Sequence, residues 1–113
     1  MATTTYKVLG QVLAASAGAY STLYNPTGVT SAVISTLVIS NQSASVATYN
    51  IAIASTASSP TTPDASFMAY GVSIPANTTI SYTIGLTLEN GKYVRVSASS
   101  TSVGFQAYGS EIA

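Results

Sequence analysis

Catalysis and ligation need groups that exchange protons, attack an electrophile or hold a metal, and this chain carries few of them. It has no histidine and no cysteine. The usual general base, the commonest metal ligand and the thiolate nucleophile are therefore missing. Its only carboxylates, Asp64, Glu89 and Glu111, lie far apart in sequence. Glu89 adjoins an Asn-Gly turn and reads as a solvated tip. Asp64 follows Pro63 in a loop and reads as a turn cap. Glu111 is expected to pair across strands with Lys7 or Arg95, a contact worth under about 1 kcal/mol if exposed. There is no glycine-rich phosphate loop and no nucleophile elbow. The expectation is a protein that is not an enzyme and takes no metal or cofactor.

Two other side-chain sets invite a binding role. The eight tyrosines are of the type that builds ring platforms for stacking on sugars, but most fall at strand positions, where a tyrosine buries its ring and leaves the hydroxyl wet. Thr79, Ser81, Thr83 and Thr87 line one side of a strand whose other side is Ile80, Tyr82, Ile84, Leu86 and Leu88. Flat ice-binding surfaces repeat such a ladder on several stacked strands, and here a single strand keeps it cleanly. Ser and Thr suit strands and stay soluble without charge. They also let a neighbour dock without desolvating ions. The uncharged side is thus expected to be a contact face. Two glycosylation sequons, at Asn41 and Asn77, match by chance in the absence of a secretion signal.

Composition points the same way. The chain has 113 residues and is expected to fold as one domain. Charged residues make up 5% of it and its net charge is zero, where soluble domains carry about 25% charged residues. Such a surface favours association. Three basic residues, Lys7, Lys92 and Arg95, do not neutralise a phosphate backbone, so a nucleic-acid partner is not expected. No apolar run is long enough for a membrane helix. The alternation of an outer-membrane barrel is present without its aromatic girdles, and a membrane partner is not expected. The start "MATTTYKVLG" lacks the basic and apolar regions of a signal peptide.

Strand signals recur along the chain between Gly, Pro, Asn and Ser clusters, which predicts an all-β fold. The candidates are 6–13, 19–25, 31–41, 48–54, 67–74, the run containing Ile80–Leu88, the run "YVRVSA" that follows it, and 103–112. Pro26 ends the second, since proline cannot donate to a ladder. Asn90-Gly91 predicts a type I′ hairpin joining the sixth and seventh strands. Gly85 predicts a bulge or close approach. In 31–41, Val33, Leu37 and Ile39 alternate with Ala32, Ile34 and Val38, so the strand reads as buried on both faces. The longest loop is "STASSPTTPDAS", 55–66. Eight short antiparallel strands in this length predict a single β-sandwich, jelly-roll-like, over 1–113. Residues 1–6 are expected to form an extended N-terminal arm.

With the strands placed, the chain from about Leu23 to Ile112 resembles small β-sandwich structural proteins of tailed-phage virions, including those of cyanophages. The matching pieces are "LYNPTG", "AVISTLVISNQSASVATYNIAI", "FMAYGVSIPANTTISYTIGLTLENGKYVRVSAS" and "VGFQAYGSEI". They follow a pattern of a Leu-Tyr before a Pro-Gly turn, a Val-rich strand ending in Asn, an I-x-A-N turn, a G-x-T-L strand and a closing F-x-x-Y-G-x-E-I. The middle loop departs from that pattern, with two prolines and little charge.

The resemblance implies a virion component made in the host cytoplasm, not an enzyme. A neutral sandwich repeated on a protein lattice gains its affinity from many weak contacts. The expected role is a capsid decoration or cement protein, clustered as a small symmetric homo-oligomer such as a trimer, with the major capsid protein as a further partner. The alternatives are a neck, tail or baseplate accessory protein that holds fibres and, from another class, a carbohydrate-binding module. The expected assembly contacts are Thr3, Thr4, Thr5 and Tyr6 in the arm, Ile34 and Val38 in the doubly apolar strand, and Pro60, Pro63 and Phe67 in and after the long loop.

Overall fold

Alternating strands broken by turn residues give eight β-strands in a computed structural model that describes residues 3–14, 17–58 and 65–113. They are β1 (Thr4–Leu13), β2 (Ser21–Tyr24), β3 (Ser31–Asn41), β4 (Ala47–Ala54), β5 (Phe67–Ile74), β6 (Thr79–Glu89), β7 (Tyr93–Ala98) and β8 (Val103–Ile112). Sheet A has the order β1-β8-β3-β6 and sheet B the order β2-β7-β4-β5. Every pairing is antiparallel, and the set includes β1 with β8, β2 with β7, β3 with β6 and β4 with β5. That is one long ribbon, folded in half at the β4–β5 loop and rolled so that its halves stack. The fold is an antiparallel β-sandwich with jelly-roll strand pairing, as the alternation predicted.

The rolled ribbon explains why the expected Asn-Gly hairpin does not form. β6 belongs to sheet A and β7 to sheet B, so residues 89–92 turn a corner between layers. Lys92 N–H donates to the Glu89 carbonyl at 3.2 Å. Gly91 has φ of 95°, whereas Asn90 is not among the residues with positive φ. One positive φ at the third turn position fits a type II turn. The type I′ geometry matches the twist of two coplanar strands, and these are not coplanar. Only β4 and β5 are sequential strands paired in one sheet, and the loop between them is the long one.

The inner faces meet in a core that includes Ile34, Leu37, Ile39, Tyr49, Ile51, Ile74, Val94, Val96 and Phe105, all essentially buried. Burying each of these aliphatic side chains contributes roughly 1.5–3 kcal/mol. The Tyr49 and Phe105 rings meet edge to face across the layers, 6.3 Å apart at 73°. The Tyr49 hydroxyl shares a hydrogen bond with that of Tyr82, which joins sheet B to sheet A. Burial, then that bond, raises the Tyr49 pKa.

β3 is not apolar on two buried faces. Ser35 breaks its register with both neighbours, and a bulge shifts the phase of the strand. Ala32 and Ile34 before it, and Leu37, Ile39 and Asn41 after it, all point inward and are buried. Val33 and Val38 point outward and are half-buried. Ile84 and Gly85 of β6 lie opposite Ser35, so the bulge expected at Gly85 is present.

Candidate functional site

Alternation along four paired strands sends one row of side chains from each strand to the outside of sheet A. The β1 row is Tyr6, Val8, Gln11 and Leu13, kept in phase by a bulge at Leu9. Beside it runs the β8 row Ser110, Tyr108, Gln106 and Gly104. The β3 row Val33, Thr36, Val38 and Ser40 follows, and then the β6 row Thr87, Thr83, Ser81 and Thr79. The face grades from apolar at β1 to hydroxyl at β6. Among the described residues its one charged member is Glu89, at the corner opposite Ser31. Tyr6 is 83% exposed, and Val8 and Leu13 are each 50% exposed.

One end of this face is hollow. A groove of about 520 Å³ lies between Gln11, Leu13, Val38, Ser40, Gln42, Thr79, Gly104 and Gln106. Gly104 opens its floor: a Cβ there would sit 3.4 Å from both Gln42 Nε2 and Leu13 Cδ1. Tyr108 donates its hydroxyl hydrogen to Gln106 Oε1, which fixes that amide with its nitrogen unused by this bond. The lining is uncharged and mixes amides and hydroxyls with an apolar floor. It suits a neutral, partly apolar group and has no charge with which to activate a bond.

Sheet B presents the opposite case. Ala52 and Ala54 of β4 and Ser97 of β7 lie on its outer side, yet they are 0%, 3% and 1% exposed. The chain covers them itself. Tyr20, just before edge strand β2, meets Phe67 on the far edge strand β5, ring centroids 6.1 Å apart. Phe67 in turn meets Tyr70 at 5.1 Å and 87°. Arg95 donates to Thr22 Oγ1 at 2.7 Å and to the Tyr20 carbonyl at 3.4 Å. Asn50 bonds Ser97 Oγ and accepts from Gly71 N–H. The edge-to-face rings form no flat stacking platform for a sugar.

The other charges of sheet A, Lys7 and Glu111, meet at the edge where the sandwich closes. Lys7 Nζ donates to Glu111 Oε1 at 3.1 Å, and the Tyr24 hydroxyl of sheet B donates to Glu111 Oε2 at 2.5 Å. The Lys7–Glu111 pair expected from sequence is thus present, with Tyr24 as a third member. The Tyr24 bond, then Lys7, holds the Glu111 carboxyl below the ordinary range. Burial, then the bond to Glu111, raises the Tyr24 phenol. Among the described residues no group of three potential metal-binding side chains occurs.

The expected contact residues separate. Thr4, Thr5 and Tyr6 are exposed but are no free arm: they continue β1 and pair with Ile112, Glu111 and Ser110 of β8. Thr3, also exposed, bonds Ala113 in both backbone directions. Val38 lies on the open face. Ile34, at 0% exposure, is core and cannot be a surface contact. Phe67 is half-buried in the cover of sheet B. Pro60 and Pro63 lie outside the described residues. Sequence reasoning missed Gln11, Gln106 and Gly104, because nothing local tells that their strands are neighbours.

The sequon at Asn41, expected to be a chance match, is closed off by the fold. That side chain is buried, donating to the carbonyls of Ser45, Ile74 and Pro75 and accepting from Ser43 N–H and Oγ. It ties the β3–β4 loop to the β5–β6 turn, which leaves no room for a glycan on it.

No family model matches this chain, and no curated protein does. Among solved structures, a chain in the structure of the infectious bursal disease virus Gx strain is 14% identical with a TM-score of 0.40. The match covers 99% of this chain and 31% of that one. The sandwich described above stands on its own strand pairing.

Proposed function

We propose that this chain is a structural protein of a tailed-phage virion, a decoration subunit of the head shell whose assembly face is the outer side of sheet A. The role is non-catalytic. The observation that supports it is the open face itself: four paired strands with one peripheral charge and apolar side chains standing in solvent. A face of that kind docks without stripping water from ions. The motif order shared with small phage virion proteins points in the same direction. Jelly-roll sandwiches serve capsids and lectins alike, so topology by itself does not choose.

Immunogold labelling of purified virions with an antibody to this chain tests the reading. Gold spread over the head is the expected result. Gold confined to the neck or tail tip would move the protein to the fibre-holding role. Virions that contain no trace of the chain would overturn the proposal and bring forward carbohydrate binding, which predicts saturable affinity for a neutral glycan.

A further inference from the structure

The open face carries both a projection and a hollow. Tyr6 is the most exposed of the large apolar side chains on it. The groove beside Leu13 and Gly104 lies at the other end of the same β1 row. Strand geometry puts the two about 20 Å apart. We infer that a second copy of this chain docks on the face, about a two-fold axis that lies in the interface and runs across the strands. Each copy's Tyr6 ring then enters the groove of the other.

Three observations select this occupant and this axis. The face is neutral apart from Glu89 at one corner, and an axis across the strands carries the two Glu89 to opposite ends, so apposing the face to itself brings no like charges together. Four strands about 4.8 Å apart and ten residues long span roughly 20 by 33 Å, so two such faces bury about 1,300 Å², within the range of stable interfaces. The lateral grading fixes the axis. Rotation about a line across the strands sets the apolar β1 row on the β1 row of the partner. Rotation about a line along the strands would set it on the threonines of β6. With the first axis passing near the middle of β1, Tyr6 of one copy faces Leu13 and Gly104 of the other. A tyrosine seated in a pocket is a typical interface hot spot, and two-fold symmetry supplies the contact twice.

This inference rests on reading sheet A as the assembly face. Sedimentation velocity on the wild-type chain and two variants tests it. Tyr6→Ala removes the projection, and Ser40→Tyr fills the groove. Each is expected to raise the dimer dissociation constant by about 100-fold or more, since both symmetry-related contacts are lost. A thermal melt of each variant checks that it folds, and Gln106→Glu replaces Ser40→Tyr if that variant does not. Mixing the two variants rebuilds one contact, because the Ser40→Tyr copy keeps its Tyr6 and the Tyr6→Ala copy keeps its groove. A heterodimer is therefore expected from two monomeric variants. A monomeric wild type would remove the second copy as occupant. An oligomer that survives both substitutions would overturn the face, and variants that fail to complement would overturn the Tyr6–groove contact. Virion labelling is read separately: a solution dimer absent from virions leaves this inference intact and removes the proposed function.

Discussion

On the outer side of sheet B, Ala52 and Ala54 are as buried as core residues, because Tyr20 and Phe67 close over them and Arg95 ties the covering segment down, with Tyr70 standing 58% exposed against Phe67 at the rim. On the outer side of sheet A, Tyr6, Val8 and Leu13 stand open with nothing of the described chain above them. Both faces obey the same alternation, so the difference is not one of strand pattern. It lies in the connections. The segment leading into β2 runs on beside β7 and sends the Tyr20 ring across sheet B to Phe67, and no described segment crosses sheet A. A sandwich that covers one outer face with its own chain and leaves the other neutral and bare is divided into a finished side and a docking side.

The sharpest way to break that division is to place a charge under the cover. Ala52→Lys would bury an ammonium beside Arg95, its cross-strand partner on β7. An unpaired buried charge costs several kcal/mol. A loss of about 3 kcal/mol or more is expected in urea unfolding, enough to unfold a marginal domain. If the variant unfolds like the wild type, the sheet B cover is loose and the two faces are alike.

A smaller effect separates the closing edge from the open face. A Cβ on Gly10 would lie 2.0 Å from the Leu23 carbonyl oxygen, where β1 passes β2. Gly10→Ala must push two backbones apart, and overpacking of this kind costs about 1–3 kcal/mol. Gly104→Ala, whose Cβ meets only side-chain ends and one carbonyl at 3.4 Å or beyond, is expected to cost well under 1 kcal/mol. Equal losses in paired denaturant titrations would show that the open face is as tightly packed as the corner.

These contrasts indicate what a single sequence can and cannot show. Fold class was legible because alternation has a period of two and every strand obeys it locally. The phase of β3 was not, because a bulge at Ser35 leaves the residue types unchanged while moving Leu37 and Ile39 to the side of Ile34. The Asn-Gly turn was legible as a turn, but whether it joins strands within a sheet or between sheets depends on pairings dozens of residues away. The Asn41 sequon was legible as a chance match, but its burial was not, since the nearby Ser45 carbonyl and the distant Ile74 and Pro75 carbonyls converge on it only in the fold. Tyr6, named for the low charge of the N-terminal arm, and Val38, named for a strand apolar on both sides, both lie on the open face. The groove beside Val38 was not legible, since it is made by four strands at once.

The charges of sheet A offer a milder test. Glu111 is lowered by its bonds to Tyr24 and Lys7, so the native state binds its proton less readily than the unfolded chain does. Its contribution is fully present above the ordinary glutamate range and is lost as pH falls through the lowered value. Wild-type urea midpoints are expected to drop between neutral pH and pH about 3 by more than those of Glu111→Gln, which itself costs about 1 kcal/mol at neutral pH. Equal acid sensitivity in the two proteins would mean that the trio does not fasten the closing edge.

The smallest change in stability carries the most information about docking. Thr83 is exposed on β6 and lies in the same cross-strand row as Thr36 and Tyr108, near the middle of the open face. Thr83→Lys and Thr83→Glu are each expected to shift stability by no more than about 0.5 kcal/mol, because the site is solvated in the single chain. Under the two-fold axis across the strands that sets Tyr6 on Leu13, position 83 falls opposite Ser81 of the partner, with the partner's position 83 one row away, about 7 Å along the strand. Each variant then sets like charges together and loses self-association, whereas an equal mixture sets Lys against Glu and regains it as a heterodimer. Under an axis along the strands, position 83 would face the β1 row, and mixing would restore nothing. Sedimentation of the two variants alone and together thus reads the symmetry of the face without disturbing the fold that presents it.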